Sequence, residues 1–551
     1  MIEVVIAGAG PNGLMLACEL ALAGVRPVVL ERLTEPTDTQ RANGLVGQVI
    51  RMLDRRGLYE RLATPGTTPE PAPRFTFGAF PLDLSDLPDN PLYTLLVPQL
   101  RIERMLTERA AELGVDIRRG HEVIGLTQGE KSVTVELRGR EPIEAEFLVG
   151  ADGGRSTVRK LTGIDFPGVT SDDSVSRTGH VSVPADLIGP DGSLTVPGFG
   201  AIPPFQHLRT EHGLLAWAPS PDPDGDPKLT TVEWGQPPEG EASLEELRAG
   251  ASRVLGTDIT LDPPTGPGPH LMRRLFGGNT RIAERYRAGR VLLLGDAAHV
   301  HSAIGGPGLN LGVGDAMNLG WKLGAVIAGW APEGLLGTYD AERRPLGAWV
   351  LDWTRAQIGV MRGDATSAAL REVVADLLST REGTTYAVKK ISGVTQRVDL
   401  PGDHPLIGRY VPDLRLRDGS RLADHGHGGG FLLLDRSPDG AFARLAAAWA
   451  GRVRSVADGH ATPTGVLVRP DGVVAWASDT TGLATVTGLE AALRRWTGAP
   501  TSSPEHEPVG LVGPVGPLSF GWRTRHGRAW LRDTVRATFS QRGRGFAGLG
   551  P

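Results

Sequence analysis

The sequence predicts an α/β chain in which a parallel-sheet domain is interrupted by a β-rich segment and followed by a further α/β unit. Three observations predict it. A strand, a glycine-rich turn and a helix open the chain and lead directly into a second strand, the start of a βαβ unit. From about 166 to 280 the pattern changes to short alternating runs with many Pro, Asp and Gly turns. Strand–helix alternation then resumes at 290–330, so the first domain is left and re-entered.

Taken in order, residues 2–7 form an apolar strand. Residues 11–23 offer Leu14, Ala17, Leu20 and Leu22 to one helix face, and 27–31 ("PVVLE") form the second strand. A proline-rich stretch at 65–91 breaks the pattern. Helical spacing returns at 100–113, followed by two alternating strands within 121–137 and an apolar strand at 145–149. In the β-rich segment "HVSVPADL" (180–187) and "LTTVEW" (229–234) read as antiparallel strands, with little helix around them. Residues 309–330 have helical spacing. From about 400, "FLLLDRSPDG" and "GVLVRPDGVVAWAS" read as strands with an Asp-Gly turn, and "AFARLAAAWA" and "LEAALRRWTG" as helices. The expected division is 1–70, 98–165 and 281–395 for the first domain, the last piece with a helical region. The second domain takes 71–97 and 166–280, and the third 400–551, ending in an Arg-rich tail that reads as solvated.

Composition narrows the function. A net charge of -5 argues against a nucleic-acid binder, and 52 Arg against 6 Lys reads as coding bias. Cys18 stands alone, so neither a disulfide nor a Cys-x-x-Cys pair can form within the chain. No uncharged apolar run is long enough to span a bilayer, and "MIEVVIAGAG" carries no signal-peptide pattern, so a cytoplasmic protein without membrane association is expected. Monomer and homodimer both stay open.

Gly8, Gly10 and Gly13 spell G-x-G-x-x-G between strand and helix, with Pro11 and Asn12 inside the motif. The first glycine permits the tight turn, the second a close approach of a pyrophosphate, and the third close helix–strand packing, while the helix start supplies free N–H groups. Glu31, ending the second strand with Arg32 beside it, stands where an acid binds a ribose hydroxyl and disfavours a 2′-phosphate. FAD or NAD fits this slot. Asp296 lies just past the strand at 291–294, at the sheet edge where ligands bind, and Gly305–Gly308 precede a second helix start whose dipole favours negative charge. His299 and His301 suggest a metal, but no third ligand accompanies them; they read as structural or cavity histidines, and no metal is expected.

"GAGPNG", "GADGGRSTVR" (150–159) and "GDAAHVHSAIGGPGLN" (295–310) occur in the order and spacing of the class A flavoprotein aromatic monooxygenases, and over about 1–500 the chain resembles their aromatic polyketide hydroxylases, relatives of phenol hydroxylase. The resemblance implies a Rossmann-like FAD-binding domain interleaved with a β-rich substrate domain, and a thioredoxin-like C-terminal domain without dithiol chemistry. It further implies bound FAD, reduction by NADPH or NADH, and O2 activated as a flavin C4a-hydroperoxide that hydroxylates a polycyclic aromatic substrate in secondary metabolism. Baeyer–Villiger insertion or antibiotic inactivation is the alternative on the same scaffold. By that resemblance Gly8, Gly10 and Gly13 hold the pyrophosphate and Glu31 the ribose. Arg41 and Gln99 lie near the flavin, with Arg101 following. Asp152 and Gly153 serve FAD and the nicotinamide, Arg155 and Arg159 a phosphate, Asp296 the ribityl chain, and Gly308, Leu309 and Asn310 the flavin ring. Ser302–Ala303 stand where relatives commonly carry a proline and Pro307 where many carry Gln. The carbonyl that helps ionise a phenolic substrate would here be that of Ala303. Phe75, Phe77, Phe80 and Tyr93 are candidates for an apolar cavity wall.

Overall fold

A computed structural model describes residues 1–501 apart from 38–41, 43, 171–172, 221–224, 237, 269 and 303. Arg41, Ala303 and the Arg-rich tail therefore lie outside the described residues. The principal helices are α1 (Pro11–Leu22), α2 (Gln48–Asp54), α3 (Gln99–Glu112), α4 (Leu244–Leu255), α5 (Pro307–Ile327), α6 (Thr338–Met361), α7 (Ala365–Ser379), α8 (Arg381–Ile391) and α9 (Leu483–Thr497). Among the described residues no helix is long and apolar enough to cross a membrane.

The first sheet is mixed: Val291–Leu293, Arg140–Gly150, Ile2–Ala7, Pro27–Glu31 and Asp116–Arg119 run parallel in that order, and Arg287–Ala288, Val133–Leu137 and Val123–Gln128 add to it antiparallel. Its central strand is apolar on both faces: Val4, Val5 and Ile6 are fully buried, in one core with residues of α1, α5 and the Val123–Gln128 and Val133–Leu137 strands. Beside it α1 and α5 approach closely. Gly312, Gly320 and Gly324 of α5 leave no room for a Cβ against Asn12, Glu19 and Ala23 of α1, and their spacing aligns the small residues on one ridge.

The middle region is a five-stranded antiparallel sheet, in the order His207–Arg209, Leu214–Ala218, Lys228–Trp234, Ser174–His180 and Met272–Phe276. One face buries Leu215, Trp217 and Leu229 under Leu247, Ala251 and Val254 of α4. Toward its other face, Leu214, Val232 and Trp234 join Phe80, Ile304 and Val360 in one apolar cluster. Two expectations are corrected here. The strand expected at 180–187 ends at His180, and Ala185–Leu187 is a single 3-10 turn; Pro184 has no N–H for a ladder. The helix α4 was not expected, although Ser243 caps it through Glu246 N–H at 3.1 Å and Gly256 ends it at φ +69°.

The C-terminal sheet runs Val453–Ala457, Phe431–Asp435, Gly465–Val468 and Val474–Ser478, with the first pair parallel and the others antiparallel. Trp321 of α5 is part of its core, 5.3 Å from the Phe431 ring and 6.4 Å from Trp496. A buried ionic network joins the same surfaces. Arg469 donates to both oxygens of Glu342 at 2.9 and 2.7 Å, Lys322 reaches Glu342 at 2.9 Å, and Asn318 bridges Glu342 and Asp471 at 2.8 Å each. Nearby, Arg56 grips Glu19 at 2.7 and 2.6 Å and donates to the carbonyls of Gly426 and Pro470.

Candidate active site

The site is built at the carboxyl ends of the central strands. Gly8, at φ +113°, turns the chain so tightly that a Cβ there would lie 2.5 Å from the Ala151 carbonyl oxygen, and a Cβ on Gly13 would collide with the Gly8 carbonyl. Gly10 differs from both: nothing lies within 4 Å of where its side chain would stand. It opens α1, whose first turn has no side-chain cap and no acid, so the helix N–H groups stay available. Glu31 touches the same loop, accepting from Ala9 N–H and Leu33 N–H at 2.9 Å each.

The second and third motifs meet the first. Ala151 N–H donates to Ala7 at 2.8 Å, and Asp152 caps the short Thr157–Leu161 helix through Thr157 N–H at 2.7 Å and Val158 N–H at 3.1 Å. Its other oxygen is buried without a partner, and Gly153, at φ +81°, has open space beside it. The Asn12 amide fills the space that side chains on Gly295 and Gly312 would need, which joins "GAGPNG" to the Gly295–Asp296 turn and to α5; its oxygen is also buried and unpartnered. Asp296 projects into solvent at this edge. The first turn of α5 has no side-chain cap and follows Gly306, at φ +67°.

The chain's first 354 residues match the family model described as FAD binding domain, and residues 404–500 match the model described as aromatic-ring hydroxylase, C-terminal. The chain belongs to the FAD-dependent aromatic-ring hydroxylases. It is 44% identical over 525 residues to the 12-dehydrotetracycline 5-monooxygenase/anhydrotetracycline 6-monooxygenase of Streptomyces rimosus, covering 90% of this chain and 99% of that one. It is 40% identical over 491 residues to the rifampicin monooxygenase of Streptomyces venezuelae, covering 87% and 96%. The solved structure of the OxyS anhydrotetracycline hydroxylase from Streptomyces rimosus superposes with a TM-score of 0.78 at 41% identity, covering 91% and 99%. The chain is thus an FAD-dependent monooxygenase, in a class that uses NAD(P)H and O2.

The hydroxylase's own residues fit an FAD. Open space at Gly10 and Gly153, two uncapped helix starts and the unpartnered buried oxygens of Asn12 and Asp152 are what a phosphate-bearing, hydroxyl-rich ligand would fill and satisfy. Behind these loops Asp315 is completely buried on α5. It accepts from Gly295 N–H at 3.2 Å, bonds His299 Nε2 at 2.7 Å and takes the Arg343 Nε–H at 2.8 Å. Burial alone would raise its pKa, but Arg343 and then His299 outweigh it and hold the carboxylate below its ordinary range. His301 bonds the Ser302 carbonyl at 2.8 Å, and burial holds its pKa below that of free histidine. Neither histidine belongs to a cluster of three metal-ligating side chains among the described residues.

The remaining sequence candidates divide. Gly308 and Leu309 lie in the first turn of α5, whereas the Asn310 side chain is engaged within the protein, accepting from Val46 N–H at 2.9 Å and donating to Gly306 at 2.6 Å. Gln99 donates to Glu103 at 2.7 Å, and Arg32, Arg101 and Arg155 are exposed. Arg159 is a correction. It is buried, donates to the Ala297 and Gly154 carbonyls at 2.8 and 3.1 Å and stacks over Phe166 at 3.8 Å, so it holds the second and third motifs together and offers no phosphate site. Of the four aromatics, Phe75 lines a cavity near the start of α5. Phe77 packs on Trp353, Phe80 is buried under Arg371, and the Tyr93 hydroxyl accepts from Arg51. Sequence reasoning missed Asp315 and Arg343; an acid inside the apolar run "GVGDAMNLGW" was the available signal.

Proposed function

We propose that this monooxygenase hydroxylates a polycyclic, polyketide-type aromatic substrate in secondary metabolism, consuming one NAD(P)H, one proton and one O2 and releasing water. The observation that carries the reading is the meeting of three sequence-distant motifs at the Gly8–Gly13 turn, in a chain 44% identical to a 12-dehydrotetracycline 5-monooxygenase/anhydrotetracycline 6-monooxygenase. Bound FAD supplies the electron transfer from NAD(P)H and the activation of O2.

The residues of the chain bind, orient and shield. Gly8, Gly10 and Gly13, with Pro11 and Asn12, present the start of α1 to the pyrophosphate, and Glu31 with Arg32 takes the adenosine ribose. Asp152, Gly153 and Asp296 hold the ribityl side, with Gln99 and Arg41 near the ring. Gly308, Leu309 and Asn310 bring the positive end of α5 to the ring, where it stabilises negative charge. Ala303 supplies the backbone carbonyl facing a phenolic oxygen. Arg155 is the cation left for the nicotinamide cofactor. The C-terminal domain is thioredoxin-like, a reading supported by its sheet order, with a parallel strand pair continued by an antiparallel hairpin. With Cys18 as the chain's lone cysteine, its role is structural or in association, not redox.

The 40% identity to a rifampicin monooxygenase favours a second reading, oxygen insertion that inactivates an antibiotic. Purified, flavin-loaded protein incubated with NADPH, labelled O2 and a panel of polycyclic phenols and quinones separates the two. One labelled oxygen on an intact ring supports hydroxylation; a ring-expanded or ring-opened product supports the second reading; no labelled product from any ring overturns both.

A further inference from the structure

The Asp-Gly turn between the strands Gly465–Val468 and Val474–Ser478 carries its charged side chains inward. Turn residues normally face water, yet Arg469 and Asp471 are 1% and 2% exposed. The turn projects from the C-terminal sheet onto residues of the FAD-binding region. Pro470 accepts from Arg56 at 2.8 Å, and a Cβ on Gly472, at φ +86°, would stand 2.4 Å from the guanidinium carbon of Arg55. Arg469 pairs with Asp471 inside the turn and with Glu342 at 2.7 Å outside it, and Asp471 accepts from the Asn318 amide at 2.8 Å.

These contacts land one helical step from the residues that hold the flavin-side loops. Asn318 follows Asp315 by three residues on the same face of α5, and Glu342 directly precedes Arg343 on α6. Arg343 donates to Asp315 at 2.8 Å and to the Leu311 carbonyl at 3.0 Å, and Asp315 accepts from Gly295 N–H at 3.2 Å. Two buried ionic layers therefore cross between α5 and α6 on adjacent turns. One ends in the C-terminal hairpin turn, the other in the Gly295–Asp296 turn and the start of α5. Buried ion pairs add little net stability over apolar packing, which Trp321, Phe431 and Trp496 already supply here; what they can add is a defined register.

We propose that Asp471 is a positioning residue for the flavin: through Asn318, and through Arg469 and Glu342, it sets the register of α5 against α6 and with it the Gly295–Asp296 turn. The C-terminal domain thereby takes part in flavin binding without touching the cofactor. This rests on the placement of FAD at that turn and at the start of α5 proposed above.

The test uses the full chain and reads the Kd for FAD together with the visible circular dichroism of the bound flavin, a signal that reports the surroundings of the ring. Asp471→Ala should weaken FAD about tenfold and shift that signal. Asp471→Asn keeps an acceptor for the Asn318 amide; it should weaken FAD about threefold and decides the matter if the alanine variant does not fold. Phe442→Leu is the control. It loosens the core of the same domain, against Trp476 and Gly465, and should leave the Kd within about twofold and the signal unchanged. Asp315→Asn should weaken FAD by more than either Asp471 variant. Combined with Asp471→Asn, it should give less than the product of the two separate effects, since one residue acts through the other. Equal effects of Asp471→Asn and Phe442→Leu, or a double variant at the full product, would overturn the proposal. Silent Asp471 variants beside an affected Asp315→Asn would overturn it while the placement of FAD stands. An Asp315→Asn protein with unaltered FAD binding would overturn that placement itself.

Discussion

The two halves of α5 answer opposite demands. At its start, around Gly306–Asn310, the helix is uncapped, the neighbouring loops are rich in glycine, and buried oxygens of Asn12 and Asp152 lack partners. Farther along, Lys322, Asn318, Glu342, Arg469 and Asp471 close on one another in a single network beneath the C-terminal sheet. Burial would raise the Glu342 pKa, but Arg469 and Lys322 outweigh it and keep the carboxylate ionised. Donors and acceptors left unsatisfied are costly unless a ligand completes them, whereas a saturated network has nothing left to offer a ligand. The contrast separates an end of the helix that faces unsatisfied groups from a remainder whose polar groups close on one another.

Five experiments break or sharpen that contrast. The largest effect is expected from Glu342→Ala, which strands the buried Lys322 and takes one of two carboxylates from Arg469; unfolding in denaturant should show a loss of about 3–5 kcal/mol. A loss below about 1 kcal/mol would show that the network is not what holds the C-terminal sheet in place. At the binding end, Gly10→Leu should weaken FAD binding about a hundredfold, equivalent to about 2.7 kcal/mol, with little change in apoprotein stability because the space is open. Gly13→Ala should instead destabilise the apoprotein, since its Cβ meets the Gly8 carbonyl.

Arg159→Lys should cost about 1–3 kcal/mol of stability through its lost carbonyl bonds and stacking, with the KM for NADPH unchanged. A raised KM would return Arg159 to the nicotinamide site. The smallest effect concerns His301. Burial, reinforced by His299, lowers its folded pKa, partly offset by the Ser302 carbonyl and Asp296. Below pH 6.5 the unfolded chain therefore binds the proton first, and stability should fall as pH drops, by at most about 1.4 kcal/mol per unit, relative to His301→Gln. Parallel stability curves for the two proteins between pH 7 and 5 would remove His301 from the account.

The glycine turn between the first strand and α1 and the strands and helices flanking each motif were legible in the sequence because they depend on local rules: glycine spacing, strand periodicity and helix starts. Even α4, which was overlooked, carries its own local signals in Ser243, Glu246 and Gly256. Tertiary structure alone decided which groups meet. Nothing local reveals that Asn12 occupies the space left by Gly295 and Gly312, or that Asp315 faces both His299 and Arg343. Nor could the sequence show that Arg159 is spent on the carbonyls of Ala297 and Gly154 and is closed to a phosphate. Sequence spacing specifies which backbone conformation each segment can adopt. A side chain's partner depends on which distant segment packs against it, and burial then decides whether a charge becomes a ligand site or a strut.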